Sequence, residues 1–260
     1  MNTIARGDAK TVVPLLAELG YDGLGGSAGD GAMASALEAR GLHFFNGYLT
    51  LEFHAESAAL DDALRHSIEA MKGHDCALWL AIAKVDQGGK AFPISSTDAD
   101  SIALGKLREI ADFAEPLGVK IALYPHTGTW LERATDAVRL AEAMNRPSVG
   151  ATFNLCHWLK VEGAQRDPEP VLKQALPHLM FVTINGADTG DTKAMGWDRL
   201  IQPLDRGSYD IGAFLGILRR IGYGSPIGFQ GYGIQGDQRE ILTRTMQAWK
   251  KLNAAGAVTK

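Results

Sequence analysis

The stretch Thr152–Leu159, "TFNLCHWL", ends an apolar, β-prone run and places Asn154, Cys156 and His157 where a buried strand should finish. Three chemistries are open to it: a metal site, a cysteine–histidine nucleophile, or a hydrogen-bonding wall for a substrate. Comparable endings recur along the chain. Tyr124 with His126, Thr152 with Asn154, Thr183 with Asn185, and Gln230 with Tyr232 each stand two residues apart. That spacing puts both side chains of a pair on one face of a strand. Four pairs of this kind predict a shared polar pocket, with His157 leaning over its rim. Earlier segments add Tyr48, Glu52 and His54, and the pair Lys84 and Asp86.

The four pairs contain no carboxylate. Amides, hydroxyls, phenols and imidazoles suit sugars and other neutral polar ligands, whereas a divalent metal wants several Asp, Glu or His ligands converging. We therefore expect no metal and no cofactor, and a pocket in which Tyr124, Asn154, Thr183, Asn185, Gln230 and Tyr232 bind substrate. His126 and His157 are the candidate acid/base groups, because imidazole titrates near neutrality. Glu52 and Lys84 are the remaining charged candidates for a base or an electrophile; a rim salt bridge explains them equally well. Trp197, in a long loop, is the candidate for stacking on a sugar face. Cys156 is expected to pack rather than react, since neighbours in an extended segment point to opposite faces and would not bring it to His157. "GLGGSAGDG" at 23–31 has the wrong glycine spacing for a dinucleotide loop.

Groups on separate segments need a frame that gathers them. Short β-branched or apolar runs alternate with stretches of helical periodicity, the pattern of a parallel sheet with crossover helices. The expected strands are a stub at Asn2–Ile4, then "YDGLGG", "LHFFNGYLTLEF", "ALWLAIAK", "VKIALYPH", "VGATFNL", "LMFVTING" and "PIGFQGYG". Helices are expected to begin near Ala9, Ala32, Ser57, Asp100, Leu131, Pro170, Ile211 and Arg239, with Asp8, Asp98 and Asp210 as start signals. Eight such units predict an α/β chain forming one (β/α)8 TIM barrel over residues 1–260, whose active site lies at the C-terminal rim. A doubly wound open sheet is the runner-up. The shortness of the first strand leaves open a longer natural start. Two long loops, 85–97 and 188–208, are candidate lids.

Composition narrows the partners. With 46% hydrophobic and 22% charged residues and a net charge of -4, the chain is that of a globular protein. No basic run interleaved with aromatics tracks a phosphate backbone, so nucleic acid is not expected. No signal-like or membrane-length apolar run is present, and the two cysteines, Cys76 and Cys156, fit no disulfide framework or zinc motif. The expectation is a cytoplasmic protein with a small-molecule carbohydrate as partner and no membrane; oligomeric state is not legible.

At these same positions the chain resembles the xylose isomerase-like TIM barrels, the superfamily of sugar isomerases, ketose 3-epimerases and endonuclease IV. The resemblance rests on "GVKIALYPH", "RPSVGATFNLCHWL", "FVTINGAD", "IQPLDRGSYDIGAFLGILRRIGY" and "PIGFQGYGI". In that family's metal-dependent isomerases and epimerases, four strand ends supply Glu, Asp, His and Glu to one divalent metal, and the two Glu exchange the substrate-carbon proton. The matching positions here are Tyr124, Asn154, Thr183 and Gln230, so the resemblance implies a subgroup with the metal ligands replaced. His126 and His157 stand where the family has substrate-side histidines. The resemblance implies a carbohydrate-active isomerase or epimerase working without a tightly bound metal. A non-catalytic sugar-binding or regulatory protein on the same scaffold is the alternative, and a metal-dependent enzyme with relocated ligands comes third.

Overall fold

The computed structural model describes residues 7–257. Its sheet is parallel and curled, in the chain order β1 (Gly23–Ser27), β2 (His43–His54), β3 (Ala77–Gln87), β5 (Lys120–Leu123), β6 (Val149–Asn154), β7 (Leu179–Ile184) and β8 (Ile227–Phe229). A short antiparallel β4 (Lys90–Ala91) turns back on β3. This is the TIM-barrel architecture expected from the alternating pattern. The strand expected at Asn2–Ile4 lies outside the described residues. A cavity of about 660 Å³ runs along the edges of β1 and β8 and reaches inward to Trp79, Thr183 and Gln230.

The helices form the outer layer, and several begin on the expected carboxylates. Asp8 caps α1 (Ala9–Leu19) by accepting from the Thr11 N–H, and Asp210 caps α9 (Ile211–Arg220) through Ala213. One start and one start signal differ from the sequence reading. The helix expected near Ser57 is α3 (Asp62–Glu69), because the Asp61 carboxylate caps Leu64 at 2.7 Å. Asp98 sits inside a short 3-10 turn capped by Ser96, and α4 (Asp100–Ala114) follows it. The chain also makes a helix the alternation did not show: α6 (Leu155–Glu162) starts directly at the end of β6.

Most of the core lies between sheet and helices, where Leu78, Leu80 and Ile82 of β3 meet Leu49, Leu51 and Phe53 of β2 and the helical residues. A smaller cluster faces the other way: Ala77, Trp79, Ala81, Ala122 and Tyr124, with Tyr48, Met180 and Phe181 against them. Trp79 stacks on Tyr124 with ring centroids 5.1 Å apart. The alanines beside them keep that interior face low, and the aromatic pair becomes its floor.

Candidate functional site

The polar residues of the late strands meet above this floor, and they pair with one another. Asn154 at the end of β6 accepts from the Thr183 hydroxyl of β7 at 2.8 Å and donates its amide to Thr152 at 3.0 Å. Thr152 in turn donates to the Leu123 carbonyl. Gln230, just past β8, donates to the Tyr124 phenol at 3.2 Å. The positions that the resemblance assigned to metal ligands are thus joined as Asn154–Thr183 and Gln230–Tyr124. A divalent cation needs charged oxygens or imidazoles with free lone pairs, and this neutral, mutually bonded set does not fit one. Among the described residues no group of three or more His, Cys, Asp or Glu side chains has a metal-binding arrangement.

His157 joins the network from the first turn of α6. The extended conformation assumed for Cys156 and His157 is therefore corrected: both are helical, because the strand passes into the helix at Leu155. The helix buries Cys156 completely, and burial pushes its thiol up to about 12, so it packs and holds its proton. The His157 ring turns to Tyr124, with Nε2 at 3.2 Å from the phenol oxygen. Thr127 presents its backbone N–H at 3.4 Å and its hydroxyl at 3.1 Å to Nδ1. A backbone N–H can only donate, which makes Nδ1 the acceptor and Nε2–H the donor to Tyr124. The Tyr124 oxygen then accepts from both His157 and Gln230, and its own hydroxyl hydrogen is left without an acceptor in this network. Burial holds the phenol well above its ordinary pKa, and it holds His157, with His126 beside it, well below the usual imidazole range. Both are neutral at pH 7.

His126 lies in the turn after β5, its ring centroid 4.2 Å from that of His157. Its Nδ1 donates to the Thr127 carbonyl at 2.9 Å, so Nε2 is the basic nitrogen. Burial lowers its pKa too, partly opposed by that hydrogen bond. Trp197, in α8 (Trp197–Leu200) within the 188–208 loop, stands edge-on to His157 at 5.5 Å between centroids. The Lys160 ammonium lies 5.8 Å over its ring.

Two expected site residues do other work or lie apart. Asn185 is fully buried and spends its amide on the carbonyls of Gly186 and Leu200, which ties the 188–208 loop to the end of β7. Gly207 completes this tie. Its φ is +86°, and a Cβ there would collide with the Ala187 carbonyl. Tyr232 is exposed beyond β8, outside the Tyr124 network.

Glu52 and Lys84 belong to a separate charged group, and an irregularity in β3 puts them there. Strict alternation from Trp79 and Ala81 would send Lys84 and Asp86 outward with Ile82. The pairing slips instead: Leu51 faces Ile82 and Glu52 faces Lys84, so Ala83 is an extra residue. Beyond this bulge Lys84 and Asp86 share the face of Glu52 and His54, while Val85 drops into the helix-side core. The Lys84 ammonium lies 2.9 Å from Asp86 and 3.0 Å from Glu52, and Asp86 also takes His54 Nδ1 at 3.0 Å. Residues 130 and 131 bond to the carbonyls of Ala83 and Ile82, which pins the turn carrying His126 to the bulge. Sequence reasoning had no signal for that slip, nor for Thr127 as the partner of His157.

Comparison with known proteins gives the family context. A family model described as "Xylose isomerase-like TIM barrel" matches residues 13–252. Solved structures with similar folds include an IolI protein with a bound zinc atom, at 18% identity, TM-score 0.72, covering 97% of this chain and 94% of that one. A D-allulose 3-epimerase from Methylomonas sp. follows at 16% identity, TM-score 0.71, covering 96% and 95%. The 3-keto-D-glucoside 4-epimerase YcjR from E. coli has 16% identity and TM-score 0.69, covering 98% and 97%. At these identities the likeness is one of fold. No curated protein sequence matches the chain. No helix among the described residues is long and apolar enough to cross a membrane.

Proposed function

The chain belongs to the xylose isomerase-like TIM barrel family, and from that premise we propose that it is a carbohydrate-active enzyme of sugar isomerase or epimerase type. It acts on a sugar or keto-sugar by acid/base proton transfer at the C-terminal rim, without a tightly bound metal. One observation carries this reading: the Tyr124 oxygen is saturated by His157 and Gln230, so its hydroxyl is left as a donor, beside a His126 whose Nε2 is basic. A hydroxyl donor and a neutral imidazole acceptor are what a sugar carbonyl and its neighbouring C–H or O–H require. Trp197 offers a ring to a sugar face. Lys84 stays protonated, since its bonds to Asp86 and then Glu52 raise its pKa, which suits an electrophile and not a base. Glu52 completes the charged end. Fold neighbours named as sugar epimerases support the substrate class.

The second reading is a non-catalytic sugar-binding protein. It is favoured by the mutual pairing of Asn154 with Thr183 and of Gln230 with Tyr124, which leaves the ligand positions of the family occupied by structure. Incubating the protein with a panel of ketoses and keto-sugars in D2O separates the two. Deuterium entering the carbon next to the carbonyl of a sugar that binds supports the enzyme; binding of the same sugars without exchange supports the binding protein.

A further inference from the structure

Isomerisation and epimerisation both take a proton from one position and return one elsewhere, so a second acid/base group in addition to His126 would complete the chemistry. The bulged pair of strands supplies it. His54 closes β2 on the barrel-side face, its side chain 43% exposed, whereas Asp86 opposite it is only 6% exposed. Both Asp86 oxygens lie 3.0 Å from His54 Nδ1. The Lys84 ammonium, with His54 adding to it, holds the Asp86 carboxyl below its ordinary range, so this carboxylate is ionised and can only accept. Nδ1 therefore carries the hydrogen, and Nε2 presents its lone pair. Glu52 Oε2 is 3.8 Å from Nε2, too far to engage it in a hydrogen bond.

We infer that His54 is a proton-transfer base for a sugar or keto-sugar substrate, and that Asp86 is the residue that positions it. The inference rests on the enzyme reading above and adds to it a group that the family's ligand positions do not include. A buried carboxylate holding one imidazole nitrogen so that the other faces a reactant is the arrangement of a base and its orienter. In the transfer, the substrate C–H bond breaks as its proton passes to Nε2. The electron pair left on carbon becomes the enediolate, whose oxygen faces the Lys84 ammonium. The proton then returns to carbon from the His54 imidazolium, and no oxidant or reductant is needed. The bulge at Ala83 is what makes this possible, because without it Asp86 would point to the helices.

Two measurements test it. Nitrogen-15 spectra of the full chain, with His54 assigned by H54Q, read the tautomer with no ligand present. The Nδ1–H form is expected in the wild type and a shift toward Nε2–H in D86N; a wild type already in the Nε2–H form overturns the inference. D-allulose, D-tagatose and L-ribulose are then followed in D2O. H54Q should bind as the wild type does but lose exchange by about 100-fold or more, the scale of a lost general base. D86N should lower the exchange rate more than it weakens binding. H54Q exchanging at the wild-type rate overturns the inference and leaves the enzyme reading intact. A wild type that binds but never exchanges overturns the enzyme reading, and with it the catalytic role of His54.

Discussion

The Tyr124 phenol and His157 Nε2 stand 3.2 Å apart, both groups buried and both uncharged. The pair ties the end of β5 to the first turn of α6 and makes the neutral state of His157 part of the folded structure. In the unfolded chain the same imidazole titrates at its ordinary value, near 6.5.

Stability should therefore depend on pH with a definite sign. The folded-state pKa of His157 is depressed, so below about 6.5 the unfolded chain binds the extra proton and the folded one does not. Folding free energy should be level above pH 7 and fall as the pH drops through 6.5, by up to about 1.4 kcal/mol per pH unit for one proton. His126 adds in the same direction. Urea unfolding at pH 7.5 and 5.0 measures the drop, and H157N should reduce it. An equal drop in the variant would show that His157 is not its source.

The Asn154–Thr183 bond should be costly to break from one side only. Asn154→Leu keeps the branched shape but leaves the buried Thr183 and Thr152 hydroxyls short of a partner, a loss of about 1–3 kcal/mol. Adding Thr183→Val to that variant should cost less than it does alone, since both partners are then apolar. A double-mutant cycle from denaturant unfolding gives the coupling.

Metal should not contribute to the fold. Ligands that bind only the native state raise its melting temperature, with the logarithm of one plus their concentration over Kd. With Asn154, Thr183, Gln230 and Tyr124 bonded to each other, neither EDTA nor added Mn2+ should move the melting temperature of the purified protein. A clear rise with Mn2+ would point to ligands elsewhere on the chain.

Both thiols should be silent in the native state. Cys76 and Cys156 are buried, and burial pushes each up to about 12. Ellman's reagent at pH 8 should find no reactive thiol until denaturant is added, and then two. Rapid reaction of either thiol before unfolding would contradict its burial, before β3 for Cys76 and in α6 for Cys156.

Lys84 should matter to chemistry more than to stability. Its ion pair with Glu52 is exposed on both sides and contributes little, and Asp86 keeps His54 as a partner when Lys84 is removed. Lys84→Met should keep a denaturant midpoint close to that of the wild type while sugar-dependent deuterium exchange is lost. Retained exchange would remove Lys84 from the reaction.

The barrel was legible because its cause is local. Short β-branched or apolar runs alternating with amphipathic stretches specify strands and helices wherever they occur, and Asp8 and Asp210 cap the helices they precede through bonds within one turn. The residue types of Tyr124, Asn154, Thr183 and Gln230 likewise showed a neutral site before any geometry was known. What the tertiary structure decided depends on pairings between distant segments. Asn185 anchors a loop because Leu200 comes back to it, and His157 faces Tyr124 because β6 passes straight into α6. Lys84 and Asp86 face His54 and Glu52 because one residue, Ala83, slips out of register against β2. Alternation along a strand is written in the chain, but a bulge is a property of two strands together, so only their pairing reveals which face the residues beyond it take.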